Sequence, residues 1–155
     1  MTPYADTNFY ARLYLRTPKL DKVQLLLSRA LREESELLPV TWLHRVETLN
    51  AFQMYVFSGR SPGHLRVTQE QAAAAFANFC ADMQKMRMMR PVKLEMNELE
   101  SQFEELSLRH TAKHGFRTYD ILHVSSALLL GCDTFWSFDQ KASKLAALEG
   151  LQIQA

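Results

Sequence analysis

Residues Arg117 to Gln140 run RTYDILHVSSALLLGCDTFWSFDQ. Thr118 is a good N-cap, because its hydroxyl can accept from an orphan amide in the first helical turn. Asp120 follows where the helix dipole favours negative charge. Gly131 suits the position just past a helix C-terminus, where a left-handed residue closes the last turn. Thr134 to Phe138 is β-branched and aromatic, the composition of a strand, and a new helical pattern begins after Asp139. Two carboxylates therefore bracket a helix–strand unit, the second where a strand hands over to a helix. In open α/β sheets ligands bind at that carboxyl end of the strands.

A similar junction stands at the start of the chain. Tyr4-Ala5-Asp6-Thr7-Asn8 has a strand-like approach followed by three capping-type residues, with a helix expected through Phe9, Leu13 and Tyr14. Asp6 is then either an N-cap or a counterpart of Asp139 at the end of a first strand. Pro18 should break that helix, and a second is expected from Leu20 to Leu31 with Val23, Leu26, Leu27 and Ala30 inward. Glu33, Glu34 and Glu36 form an acidic connection to a short strand at Leu37 to Val40. Thr41 then caps a long helix whose Leu43, Val46, Leu49 and Val56 are expected in the core. Glu47 falls on or beside that stripe, an unusual place for a carboxylate. It calls either for a partner such as His44 or for a metal-ligand role.

Ser58 to Gly63 is a loop, and no Gly-Lys-Ser/Thr follows it to make a phosphate cradle. Thr68 and Gln71 form a capping box for an Ala-rich helix expected from Gln69 to about Arg90. Its end, Lys85 to Arg90, interleaves cations and methionines, as suits either a helix C-terminus or an RNA-facing edge. After Pro91, alternation of Val92, Leu94 and Met96 predicts a strand. A helix starting at Asn97 and Glu100 places Leu99, Phe103, Leu106 and His110 on one face and ends at Gly115, with its glutamates mostly on a solvated face. His110 and His114 have metal spacing but no third ligand nearby. The chain closes with a helix turning Leu145 and Leu148 inward, a stop at Gly150 and a strand at Leu151 to Ile153.

With 155 residues and 47% hydrophobic composition, the chain is long enough for one core, so residues 1–155 are expected as a single domain. Strands alternating with helices predict a mainly parallel α/β/α sandwich. A net charge of +1 excludes neither an acidic nor a basic site, but gives no overall field that advertises nucleic acid. Cys80 and Cys132 lie in apolar surroundings without ligand spacing and read as buried thiols of a reducing compartment. No stretch approaches the roughly 20 apolar residues of a membrane span, which predicts a cytoplasmic protein.

Four acids stand out: Asp6, Glu47, Asp120 and Asp139. Were they to converge, their hard oxygen donors would select Mg²⁺ or Mn²⁺, and such an ion would activate a water for phosphodiester hydrolysis. A phosphatase built on an Asp after strand one would need a second Asp two residues on, where this chain has Asn8.

The segments Tyr4 to Asn8, Val46-Glu47-Thr48-Leu49-Asn50, His114 to His123 and Ser137-Phe138-Asp139, taken in order, resemble the PIN-domain family, closest to VapC-type toxins of bacterial toxin–antitoxin pairs. The similarity is strong from His114 to Gly150, good around Asp6 and poor between Gly59 and Met96. It implies a metal-dependent endoribonuclease with its acidic site at Asp6, Glu47, Asp120 and Asp139, metal ligation by Asp6, Asp120 and Asp139, and support from Thr7, Asn8 and Ser137. Asn8 stands where the family more often has Ser. The resemblance also implies a cognate antitoxin, and a homodimer or antitoxin covering apolar surface around Tyr10, Leu13, Tyr14 and Leu27. With the four site carboxylates set aside the remaining chain is cationic, and Arg12, Arg16, Arg87, Arg90 and Lys93 are candidates to hold RNA. A PIN-like binding module that no longer cuts is the alternative, since a fold does not guarantee an activity.

Overall fold

The computed structural model describes residues 1–15, 20–33 and 36–154. The Pro18 helix break, Arg16 as an RNA contact and Glu34 of the acidic connection lie outside these residues, as does the side chain of Ala30. The chain divides into two compact units, one formed by Met1–Asp6 and Lys93–Ala155, the other by Thr7–Val92.

The first unit is built on a parallel sheet in which β4 (Thr134–Trp136) lies between β1 (Pro3–Ala5) and β5 (Gln152–Gln154). Its register sets Ala5 opposite Trp136 and Phe135 opposite Ile153. Every residue of β1 and of the central strand β4 is buried, in keeping with the Tyr, Phe and Trp they carry. Tyr4 and Phe135 stack with ring centroids 5.7 Å apart and planes 7° from parallel. Helix α7 (Thr118–Leu129) packs against α5 (Met96–Leu106) and α8 (Gln140–Leu148). It contributes Ile121, Val124 and Ala127 to a core shared with Phe135 and Leu145.

Helix α7 ends as its sequence requires. Gly131 has φ +69°, the Cys132 amide donates to the Ala127 carbonyl at 3.0 Å and the Gly131 amide to Leu128 at 3.1 Å. That pair of bonds satisfies carbonyls that the helix itself leaves unpaired. The N-terminal boundary differs from expectation by one residue: Arg117, with extended backbone, is the cap, and Thr118 is already helical. Past α5 the chain widens into a π-turn at Ser107–Thr111, followed by the short α6 (Ala112–His114). There His110 and Arg109 both bond Glu149, each at 2.6 Å. Leu148 is exposed rather than inward, whereas Leu145 is fully buried.

In the second unit α1 (Thr7–Tyr14) packs against α2 (Leu20–Glu33), α3 (Trp42–Ser58) and α4 (Gln69–Gln84). Its two strands, β2 (Leu38–Val40) and β3 (Met89–Pro91), are parallel, with Leu38 opposite Met89. Two expectations fail here. The Ala-rich helix stops at Gln84, because Met86 turns the backbone to φ +48° and the Arg87 amide bonds back to the Asp82 carbonyl at 3.2 Å. The strand accordingly lies at Met89–Pro91, before Val92 rather than after it. On α3 the buried stripe is His44, Thr48, Phe52 and Val56 with Leu43, while Val46 is 53% and Leu49 42% exposed. Thr41 caps this helix, its amide donating to His44 Nδ1 at 3.0 Å.

Tyr10 and Leu27 are buried, and Leu13 and Tyr14 are half-buried. Tyr10 meets His44 and Phe79 edge-on at 5.5 Å each, so it fills the protein's own core and is no docking surface. Cys132 is buried and Cys80 half-buried, and neither forms a disulfide. Among the described residues, no helix is long and apolar enough to cross a membrane.

Candidate functional site

Parallel pairing places Asp6 and Ser137 side by side. The Asp6 amide donates to the Trp136 carbonyl at 3.1 Å, and the Ser137 amide to Gln154 at 3.3 Å, so each is the first residue beyond its strand. One register step past Ala5 and Trp136, the Ser137 hydroxyl donates to Asp6 Oδ2. The same oxygen of Ser137 accepts the Asp139 amide at 2.9 Å. Asp139 then caps α8, its Oδ1 accepting from the Ala142 amide at 3.0 Å.

Asp120 is reached from the helical side. As the third residue of α7 it accepts the Arg117 backbone amide at 3.1 Å, and its two oxygens take Nε and Nη2 of the same arginine at 3.1 Å each. Arg117 Nη2 also donates to Asp139 Oδ2 at 2.8 Å. Asp6, Ser137, Asp139, Arg117 and Asp120 thus form one hydrogen-bonded chain at the carboxyl end of β1 and β4. Asp6 and Asp120 are each only 4% exposed, so their carboxylates depend on these donors.

The electrostatics follow from the contacts. Burial pushes the Asp139 carboxyl up, but the Ala142 amide and the Arg117 charge more than offset it, and its pKa lies below the ordinary carboxylate value. Arg117 is pushed above its ordinary value by its hydrogen bonds and charge attraction to Asp120, against a smaller opposing effect of burial.

Glu47 lies in the second unit, half-buried beside the α3 stripe, and its Oε2 accepts from the Thr7 hydroxyl at 2.8 Å. Its partner is not His44, whose Nδ1 is turned to Thr41. Asn8 is half-buried in the first turn of α1. Of the basic residues, Arg87 and Lys93 are exposed, the former 4.0 Å from Asp82, and Arg90 is half-buried in β3.

Among the described residues no three His, Cys, Asp or Glu side chains stand together as a ready metal cluster. Within the first unit, Ser137 and Arg117 link the acids. The donor set is nonetheless all carboxylate, which fits a hard divalent ion. Arg117 is the residue that sequence reasoning missed. Its signal was its place three residues before Asp120, a spacing that lets a side chain at a helix start reach the third residue.

No protein-family model and no curated protein matches the sequence. Among solved structures, VapBC2 from Rickettsia felis, bound to a DNA fragment from their promoter, superposes with a TM-score of 0.66. It is 14% identical, and the match covers 99% of this chain and 98% of that one. This chain has the PIN-domain fold. Mycobacterium tuberculosis VapC20, a sarcin-ricin loop cleaving toxin, is similar over 99% of both chains with a TM-score of 0.60 and 18% identity. The PIN fold accounts for the position of the acids, because its parallel strands deliver Asp6 and Asp139 from neighbouring carboxyl ends.

Proposed function

We propose that this chain is a divalent-metal-dependent endoribonuclease, the toxin of a toxin–antitoxin pair. The observation that carries the reading is the hydrogen-bonded run Asp6, Ser137, Asp139, Arg117 and Asp120 at the carboxyl end of two parallel strands. The likeness to VapC20 and to VapBC2 supports RNA as the substrate and an antitoxin as the partner.

Asp6, Asp120 and Asp139 are the residues that would hold Mg²⁺ or Mn²⁺, and the bound ion would supply an activated water and offset charge on the leaving oxygen. Ser137 orients Asp6 and fixes the Asp139 backbone. Glu47, with Thr7 as its hydrogen-bond donor, joins the catalytic set on the strength of the family resemblance. A non-cutting PIN-like module is favoured by one observation, the guanidinium that already bridges Asp120 and Asp139. Incubation with cellular RNA, with Mg²⁺ or with chelator, separates the two. The nuclease cuts only with metal, and Asp120→Asn abolishes cutting while the circular-dichroism spectrum is kept. Full cleavage in chelator, or by Asp120→Asn, would overturn the proposal.

A further inference from the structure

Arg117 Nη2 bonds both Asp120 and Asp139, at 3.1 Å and 2.8 Å. The guanidinium does for this carboxylate pair what a divalent ion would do: it places positive charge between two anions that otherwise repel. From these contacts, and resting on the metal-dependent reading above, we infer that Arg117 is a built-in competitor of the metal, displaced from the Asp120–Asp139 pair when the ion binds.

Three features support displacement over a fixed structural bridge. The Arg117 side chain is 61% exposed, so its guanidinium can swing into water without a desolvation cost. Arg117 is anchored through its backbone, whose amide donates to Asp120 Oδ2, so the helix start survives departure of the side chain. Asp120, by contrast, is nearly buried and cannot follow the arginine out. The grip on Asp120 depends on the fork of arginine, since Nε and Nη2 take its two oxygens together and an ammonium, a point charge, has no such planar pair.

The competition is read directly by calorimetric titration of Mn²⁺ into the full chain, its Arg117→Gln variant and its Arg117→Lys variant. A partly exposed ion pair of this kind is worth about a two- to fivefold change in an equilibrium constant. Arg117→Gln is therefore expected to bind Mn²⁺ about two- to fivefold more tightly than the parent. Arg117→Lys, which keeps the charge and loses the fork, should fall between them and serves alone if the Gln variant does not fold. In chelator Arg117→Gln should melt below the parent, and its gain on adding Mn²⁺ should be larger. A merely structural bridge predicts instead an equal fall in melting temperature with and without the ion. Mn²⁺ binding to the parent with no tightening in either variant would overturn the competition alone. Flat titrations of all three proteins would overturn the metal-dependent reading and the competition with it.

Discussion

Ser137 donates its hydroxyl to the Asp6 carboxylate and accepts the Asp139 amide on the same oxygen, at 2.9 Å, so a single serine holds two of the site acids in register. Because Ser137 is 1% exposed, water cannot enter to replace it. Ser137→Ala should cost about 1–3 kcal/mol, the usual penalty when a buried polar group loses a partner. For a chain of this size that is roughly 2–4 °C of melting temperature per kcal/mol. Urea melts of the two proteins measure it, and equal midpoints would show that the serine carries no share of the stability of this end of the sheet.

Asp139 gives the protein a specific acid sensitivity. Its pKa in the fold is depressed, because the Ala142 amide and Arg117 outweigh the upward push of burial. The unfolded chain therefore takes up this proton first as pH falls. The stabilisation is complete above about pH 4, the ordinary carboxylate range, and is lost as pH drops toward the lower folded value. Asp139→Asn keeps the helix cap, since Asn caps as well as Asp, but carries no titrating charge. Its urea midpoint should decline less steeply than the parent's below pH 4, and parallel profiles would assign the sensitivity to other groups.

The face that α3 turns inward is testable by two substitutions three residues apart. Leu43 is 2% exposed, and truncation to Ala should cost about 2–5 kcal/mol. Val46 is exposed, and Val46→Ser should stay within about 0.5 kcal/mol. Chemical denaturation distinguishes the two, and a large loss in Val46→Ser would restore the face expected from the sequence.

That face was not legible because α3 is apolar nearly all round. Trp42, Val46, Leu49 and Phe57 are exposed while Leu43, Phe52 and Val56 are buried, so helical periodicity selects no single stripe. The end of α4 was misplaced for a related reason. Nothing from Gln84 to Arg90 breaks a helix by composition, and the chain leaves it only because Met89–Pro91 pairs with Leu38–Val40, a tertiary demand that overrides local propensity. The site was far more legible. Gly131, the aromatic strand and Asp139 are punctuation that physics reads locally, and Asp6 repeats it at β1. Arg117 escaped because a cation beside an acid reads as a surface pair, and only the fold brings Asp139, 22 positions on, to the same guanidinium.

Asp6 tests whether the acids act as one site. Arg117 offsets one of the two charges of Asp120 and Asp139, and Asp6 accepts the Ser137 hydroxyl. Two carboxylates about 6 Å apart repel by about 3 kcal/mol at an effective dielectric near 20, before relaxation reduces it. Asp6→Asn removes one of the charges and keeps an oxygen for Ser137, so in chelator it should melt at or above the parent temperature. Metal binding to the folded state raises stability by mass action, by about 2.7 kcal/mol at one hundred times the dissociation constant. With a ligand lost, the variant should gain distinctly less from millimolar Mg²⁺ or Mn²⁺ than the parent does. A capping role alone predicts no change in either condition, since Asn caps as well as Asp. Thermal melts of both proteins in chelator and in metal decide the matter, and an unaltered metal response in Asp6→Asn would remove Asp6 from the site.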